Sequence, residues 1–288
     1  MEQKTIYLKG ISLALIGVFV LSFDALLIRI SGVSGFKASF WRGGFAGISL
    51  LLVLLSTYKG RTLSVIRSGG KSMVFSGLLW GLSGIAFSLG VIHAGAGNTL
   101  VMMSLSPLFA AAYSRLVYRE RQHCITLVTA VGATGGIMYM FQSQIGSVDA
   151  YSLLITLGTP LCFGVNLSHL RKHRNINRMA VCMMGGFFGA LISFIASGMD
   201  VLISLTSLLP LCLLGSVVVP FAQTIISQGT RYISASDSAL ITSLETVIGI
   251  FYMWLFLQEI PSPDFLTGAL VVMLCITVNS VVMGQRKS

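Results

Sequence analysis

The chain has 288 residues, 55% of them hydrophobic and only 10% charged, with a mean hydropathy of +0.87. That composition lies outside the range of soluble globular domains and reads as a membrane protein. The net charge of +10 would suit a nucleic-acid partner only if the basic residues were displayed on a soluble face, and they sit mostly in short turns between apolar runs.

Bilayer hydrocarbon is about 30 Å thick and a helix rises about 1.5 Å per residue, so a span takes roughly 20 mainly apolar residues. On that measure ten helices are expected, at 8–30, 36–57, 71–92, 98–118, 123–141, 150–170, 178–197, 207–229, 237–257 and 263–284. The uncharged run Ser72 to Ser114 is too long for one span and divides naturally at His93 to Asn98. With a cytoplasmic N-terminus, sixteen Lys and Arg fall on the cytoplasmic side and three (Arg29, Lys37, Arg42) toward the other. This asymmetry supports both the helix count and cytoplasmic N- and C-termini. Met1 to Lys9 leads into the first span without a small-residue cleavage site, so no cleavable signal peptide is expected. The five cysteines are scattered singly through apolar runs, which implies neither a zinc site nor a disulfide, and no cofactor is expected.

One stretch occurs twice. Ala96 to Glu120 and Ala235 to Glu259, at an offset of 139, share Ala96/Ala235, Ser104/Ser243, Leu105/Leu244, Tyr113/Tyr252, Leu116/Leu255 and Glu120/Glu259. The offset maps the fourth helix onto the ninth, so each repeat holds five helices, residues 1–145 and 146–288. Five is odd, so the second repeat is expected to be inverted relative to the first, the plan of secondary transporters. Gly43-Gly44-Phe45-Ala46-Gly47 is echoed by Gly185-Gly186-Phe187-Phe188-Gly189, and Leu21-Ser22-Phe23 by Leu161-Cys162-Phe163. Small residues of this kind let helices approach closely in lipid.

The two five-helix repeats, Leu105-Ser106-Pro107-Leu108-Phe109 leading to Glu120, and the Gly-rich fifth helix (Gly132, Gly135, Gly136) resemble the drug/metabolite transporter superfamily, EamA type. The resemblance implies a small-solute carrier, usually an exporter, that works by alternating access around a central cavity. The second repeat departs from the pattern, with Glu245-Thr246 in place of Ser106-Pro107.

Ionisable side chains are costly inside a bilayer, so those within spans are the first candidates for function. Glu245 lies eight residues into the ninth helix, roughly 12 Å from its end, near the midplane. Ser106 and Pro107 lie at matching depth, where the proline frees a backbone carbonyl and breaks the helix. Glu245 reads either as a proton-binding or cation-binding group or as a structural tie between helices. Asp24 and Arg42 lie at similar depth in the first two helices and are expected to pair, structurally or as a gate or substrate contact. A helix 2 arginine is common in relatives of this type near the place of Arg42. Arg29 and Lys37 are expected to reach toward the outer interface. Phe23, Trp41, Trp80, Phe87 and Phe163 fall on helices that line the cavity in similar families, and mid-span Trp80 is the foremost of them. Asn166, His169, Gln223 and Gln228 need polar partners, in the cavity or on another helix. Asn98 and Asp237, at matching helix starts, read as caps.

The expected function is a secondary carrier exporting a small amphiphilic metabolite, with an amino acid or related compound as the leading class. An organic-cation or drug efflux carrier is the alternative, and a channel or non-transporting membrane protein the reading from another class. No HExxH, GxSxG or close carboxylate pair suggests an enzyme. The expected partners are the solute, the bilayer of a bacterial cytoplasmic membrane and protons as coupling ion, with the chain a monomer or homodimer.

Overall fold

The structure is a computed structural model, described for residues 2–120, 123–140, 150–258 and 263–285. Glu259, the end of the second repeated stretch, lies outside these. Among the described residues there is no strand, and fifteen α-helices follow in order. Span 1 comprises α1 (Glu2–Leu21) and α2 (Asp24–Ser31), and span 2 is α3 (Gly35–Tyr58). After the short α4 (Thr62–Ser68), span 3 is α5 (Gly70–His93). Span 4 is α6 (Ala96–Met103) plus α7 (Ser106–Tyr118), and span 5 is α8 (Cys124–Met140). Spans 6 and 7 are α9 (Ala150–Lys172) and α10 (Arg178–Ala196). Span 8 is α11 (Leu205–Leu213), a π-helical stretch Leu214–Val218 and α12 (Val219–Gly229). Span 9 is α13 (Ala235–Thr242) plus α14 (Leu244–Leu257), and span 10 is α15 (Pro263–Gln285). Among the described residues, nine stretches are long and apolar enough to cross a membrane, and Cys124–Tyr139 is a shorter apolar tenth. The expected boundaries agree to within two or three residues, except that the first helix starts at Glu2 and α4 was not anticipated.

The breaks in spans 4 and 9 are the same event in both repeats. Ser104 N–H is shared between Leu100 O and Val101 O at 3.3 and 3.2 Å, and Ser243 N–H between Ala239 O and Leu240 O at 3.2 and 3.1 Å. Each serine hydroxyl also donates back, to Val101 O at 2.6 Å and Ala239 O at 3.4 Å. Shared N–H groups and serine back-bonding bend a helix. The expectation that Pro107 makes the break is therefore corrected. The bend falls at the duplicated Ser-Leu pair, occurs without proline in span 9, and Pro107 sits in the first turn of α7, where its missing N–H costs little. Thr134 Oγ1 of α8 donates to Ser104 O at 3.0 Å, so Thr134→Val leaves a bent carbonyl without this donor and lowers stability by about 1 kcal/mol in a detergent unfolding assay.

Packing follows a pseudo-twofold plan. Spans 2 and 7 pair with each other, as do spans 5 and 10, while span 3 against span 6 is matched by span 8 against span 1. The axis-lying pair meets through glycine: a Cβ on Gly43 would stand 2.7 Å from Gly186 O, and one on Gly186 2.6 Å from Gly43 O. Around this bundle, large apolar side chains such as Leu52, Val128, Leu191 and Leu270 are exposed. Polar groups including Asp24, Arg42, Asn166 and Glu245 are buried. This inside-out distribution suits lipid as the outer solvent.

Candidate functional site

The break in span 1 places Asp24 at the start of α2, 2% exposed, beside Arg42 in the second turn of α3, 5% exposed. Arg42 Nε donates to Asp24 Oδ1 at 3.0 Å and its Nη2 to Asp24 Oδ2, so guanidinium and carboxylate meet as a two-pronged fork. Such forks are the strong form of ion pair and fix orientation as well as charge. The guanidinium also lies 5.9 Å from the centre of the Phe87 ring, within cation–π range. The third nitrogen, Nη1, would stand 2.8 Å from any Cβ at position 84. Gly84 thus leaves room for the arginine head.

Glu245 is the second residue of α14, just past the break in span 9, and is buried. It joins Asp24 and Arg42 in lining a central cavity of about 370 Å³, counted with its opening to solvent. Trp80, Phe87 and Phe163 supply apolar walls, and Ser83, Thr159 and Gln223 add polar groups. Among the described residues no basic side chain is hydrogen-bonded or ion-paired to Glu245, and Arg42 is committed to Asp24. Two carboxylates and one guanidinium therefore face one small space. That arrangement can receive a positive charge, and the ring faces can receive an apolar group.

Of the residues singled out by sequence, the cavity gathers Glu245, Asp24, Arg42, Trp80 and Gln223, with Phe87 and Phe163. The others fall elsewhere. Phe23 stacks on Tyr252 with ring centres 4.1 Å apart. Trp41 Nε1 donates to Val201 O at 2.9 Å, binding span 2 to the segment before span 8. Ser106 and Pro107 are buried where span 4 crosses span 6. Asn166 is buried on the face of α9 beyond Phe163. His169 pairs through Nδ1 with the Tyr118 hydroxyl at 2.7 Å and stacks on His173.

One local expectation is corrected. Asp237 does not cap span 9: Ser234 does so through its hydroxyl, while Asp237 is buried and its Oδ1 accepts from Asn279 Nδ2 at 2.8 Å and Thr126 Oγ1 at 3.2 Å. The carboxylate thereby ties spans 5, 9 and 10 together. Lys37, near the start of α3, reaches the loop between spans 7 and 8, where its Nζ binds Asp200 Oδ2 at 2.8 Å and Leu202 O at 3.1 Å. The ammonium holds the Asp200 carboxyl below the usual carboxylate range.

Sequence reasoning missed Leu21, Ser83, Gly84, Met103 and Thr159. A signal for two of them was present. Trp80, Ser83, Gly84 and Phe87 recur at i, i+3, i+4 and i+7, one face of a helix, and Ser83 Oγ donates to Thr159 O at 3.2 Å across to span 6.

The comparisons with known proteins agree with this architecture. The model of the EamA-like transporter family matches residues 8–142 and again 150–281. The chain is 24% identical over 258 residues to "Uncharacterized transporter YoaV" of Bacillus subtilis (strain 168), covering 84% of this chain and 88% of that protein. It is 23% identical over 288 residues to "Uncharacterized transporter YdfC" of the same organism, covering 94% and 90%. A solved crystal structure superimposes with a TM-score of 0.79 at 15% identity over 95% of this chain and 97% of the other; at that identity the likeness speaks for the fold alone. With both repeats matched and the bundle built as a lipid-facing helical array, the chain is a multi-pass membrane protein that belongs to the EamA-like transporter family.

Proposed function

We propose that this transporter is a secondary carrier that exports a small amphiphilic metabolite, an amino acid or a related compound, across a bacterial cytoplasmic membrane, with its termini in the cytoplasm and protons as coupling ion. The observation that carries the reading is the cavity's charge arrangement. Glu245 faces it without a cation, while Asp24 and Arg42 neutralise each other. A solute ammonium has a partner in Glu245. A solute carboxylate has one in Arg42 Nη1, the guanidinium nitrogen that makes no hydrogen bond to Asp24. An apolar side chain lies against Trp80, Phe87 and Phe163. A large polyanion finds only one arginine here.

An organic cation without a carboxylate is the second reading, favoured by the three aromatic residues that line the cavity with Glu245. The test is a ligand screen by thermal shift on purified protein, followed by uptake into proteoliposomes. An amino-acid-like solute raises Tm saturably, and Glu245→Gln weakens its binding by about tenfold or more, as expected for losing a charged hydrogen bond. Transport by Glu245→Gln that equals wild type at every pH sinks the role given to Glu245. Stabilisation by amines but not by zwitterions favours the second reading. Failure of labelled solute to exchange for unlabelled solute points to a channel.

A further inference from the structure

The two repeats differ at the positions of both cavity carboxylates. Span 6 matches span 1 at an offset of 140, through Leu21-Ser22-Phe23 and Leu161-Cys162-Phe163, so Gly164 stands in the place of Asp24. Span 9 matches span 4 at an offset of 139, so Ser106 stands in the place of Glu245 and Ala110 in the place of Gly249. In the half with Gly164 and Ser106, spans 6 and 4 touch backbone to backbone. A Cβ on Gly164 would lie 2.6 Å from Ser106 O and 2.9 Å from Ala110 N, and Ser168 Oγ donates to Ala110 O at 2.8 Å. In the half with Asp24 and Glu245, spans 1 and 9 meet less closely and mainly through side chains, as in the Phe23–Tyr252 stack. A Cβ on Gly249 would find its nearest neighbour, Ser22 O, at 3.5 Å, an ordinary contact. Both carboxylates line the cavity.

An inverted-repeat carrier alternates by rocking one bundle against the other, so its opposite state gives each half the arrangement the other half has now. For spans 1 and 9 to close as spans 4 and 6 have closed, Asp24 and Glu245 must come to the separation that a glycine and a serine now occupy. Arg42 on α3 can neutralise one of them. Among the described residues, the remaining cavity lining, from α1, α5, α6, α9 and α12, includes no titratable side chain. Like charges pressed together in a site closing to water repel strongly. We infer that the Asp24–Glu245 pair is a cation site whose occupancy permits closure of spans 1 and 9, the positive charge coming from the solute's cationic group or from a proton. The empty, ionised carrier is held short of the backbone-to-backbone contact that spans 4 and 6 make, which links solute or proton binding to the conformational step. This rests on the carrier reading above and adds to it what the bound charge does.

The test is a distance measurement by pulsed electron spin resonance on full-length protein in nanodiscs, with native cysteines replaced. Nitroxides are attached at Ile30→Cys and Phe256→Cys, exposed positions at the ends of α2 and α14. Lowering pH, or adding n-butylammonium at fixed pH, should move the ratio of short to long distances roughly tenfold toward short. Glu245→Gln should give the short distance without either addition and respond to neither. Glu245→Ser, which installs the residue of the first repeat, should do the same and covers the case in which the glutamine variant fails to fold. A pH response alone assigns the charge to the proton, and a butylammonium response alone to the solute. Wild-type distances unmoved by both, or a Gln or Ser variant that keeps the wild-type distances and responses, overturn the inference. None of these arms needs an amino acid to bind, so the inference can stand where the substrate assignment falls, and the reverse.

Discussion

Arg42→Met should destabilise the protein by about 3 to 5 kcal/mol, the loss typical of a buried ion pair deprived of one partner. Asp24, 2% exposed, would lose the guanidinium that receives both its oxygens. Arg42→Lys should recover only part of the loss. A lysine ammonium is a single point of charge and cannot span both carboxylate oxygens as the Nε–Nη2 fork does. The double variant Asp24→Asn/Arg42→Met should be more stable than Arg42→Met alone, because the unpaired charge is gone. Denaturant or thermal unfolding in one detergent, across the four members of that cycle, measures the coupling. A cycle with no coupling would show that the pair contributes nothing beyond its packing. Transport should fall in both single variants, since the guanidinium also bounds the cavity from Gly84 to Phe87.

The ten spans were legible because lipid imposes a strong rule. Each span needs an apolar run of fixed length, and basic residues collect in the turns, so boundaries such as those of α5, α9 and α15 emerge from composition alone. The Asp24–Arg42 pair was legible for a related reason: two opposite charges at one depth in adjacent spans have few other partners. What the sequence concealed was rotation about each helix axis. Phe23 and Trp41 stand at suitable depths but face away from the cavity, one onto Tyr252 and the other onto the Val201 carbonyl. Depth along a helix can be counted, whereas the facing direction depends on which neighbour packs where. Asp237 misled for a different reason. At a helix start a carboxylate and a serine are equally good caps, and only the approach of Thr126 and Asn279 from spans 5 and 10 decides that the carboxylate turns inward. Proline likewise drew attention to Ser106-Pro107, although the bend belongs to the duplicated serine and leucine just before it.

Gly186→Ala should cost about 3 kcal/mol, the upper part of the usual range for overpacking, although it adds a single methyl group. The new Cβ would lie 2.6 Å from Gly43 O, 2.7 Å from Gly47 N and 3.1 Å from Gly47 Cα. All three are backbone atoms of α3, so no rotamer change relieves the clash and spans 2 and 7 must separate as units. In lipid that separation is felt directly, because close packing rather than hydrophobic burial holds helices together. Gly43→Ala meets Gly186 O at 2.7 Å from the other side, and the two substitutions should add to less than their sum, since the first has already opened the interface. Gly135→Ala is the control. Nothing lies within 4 Å of the methyl position there, so its effect should stay within about 0.5 kcal/mol. Unfolding in matched detergent compares the three. Transport in proteoliposomes then separates fold from function. Spans 2 and 7 sit on the axis about which the repeats are related, so a Gly186→Ala protein that is folded but wedged should bind solute and turn over slowly. Wild-type turnover together with wild-type stability would mean that the glycine contact is not tight in the membrane.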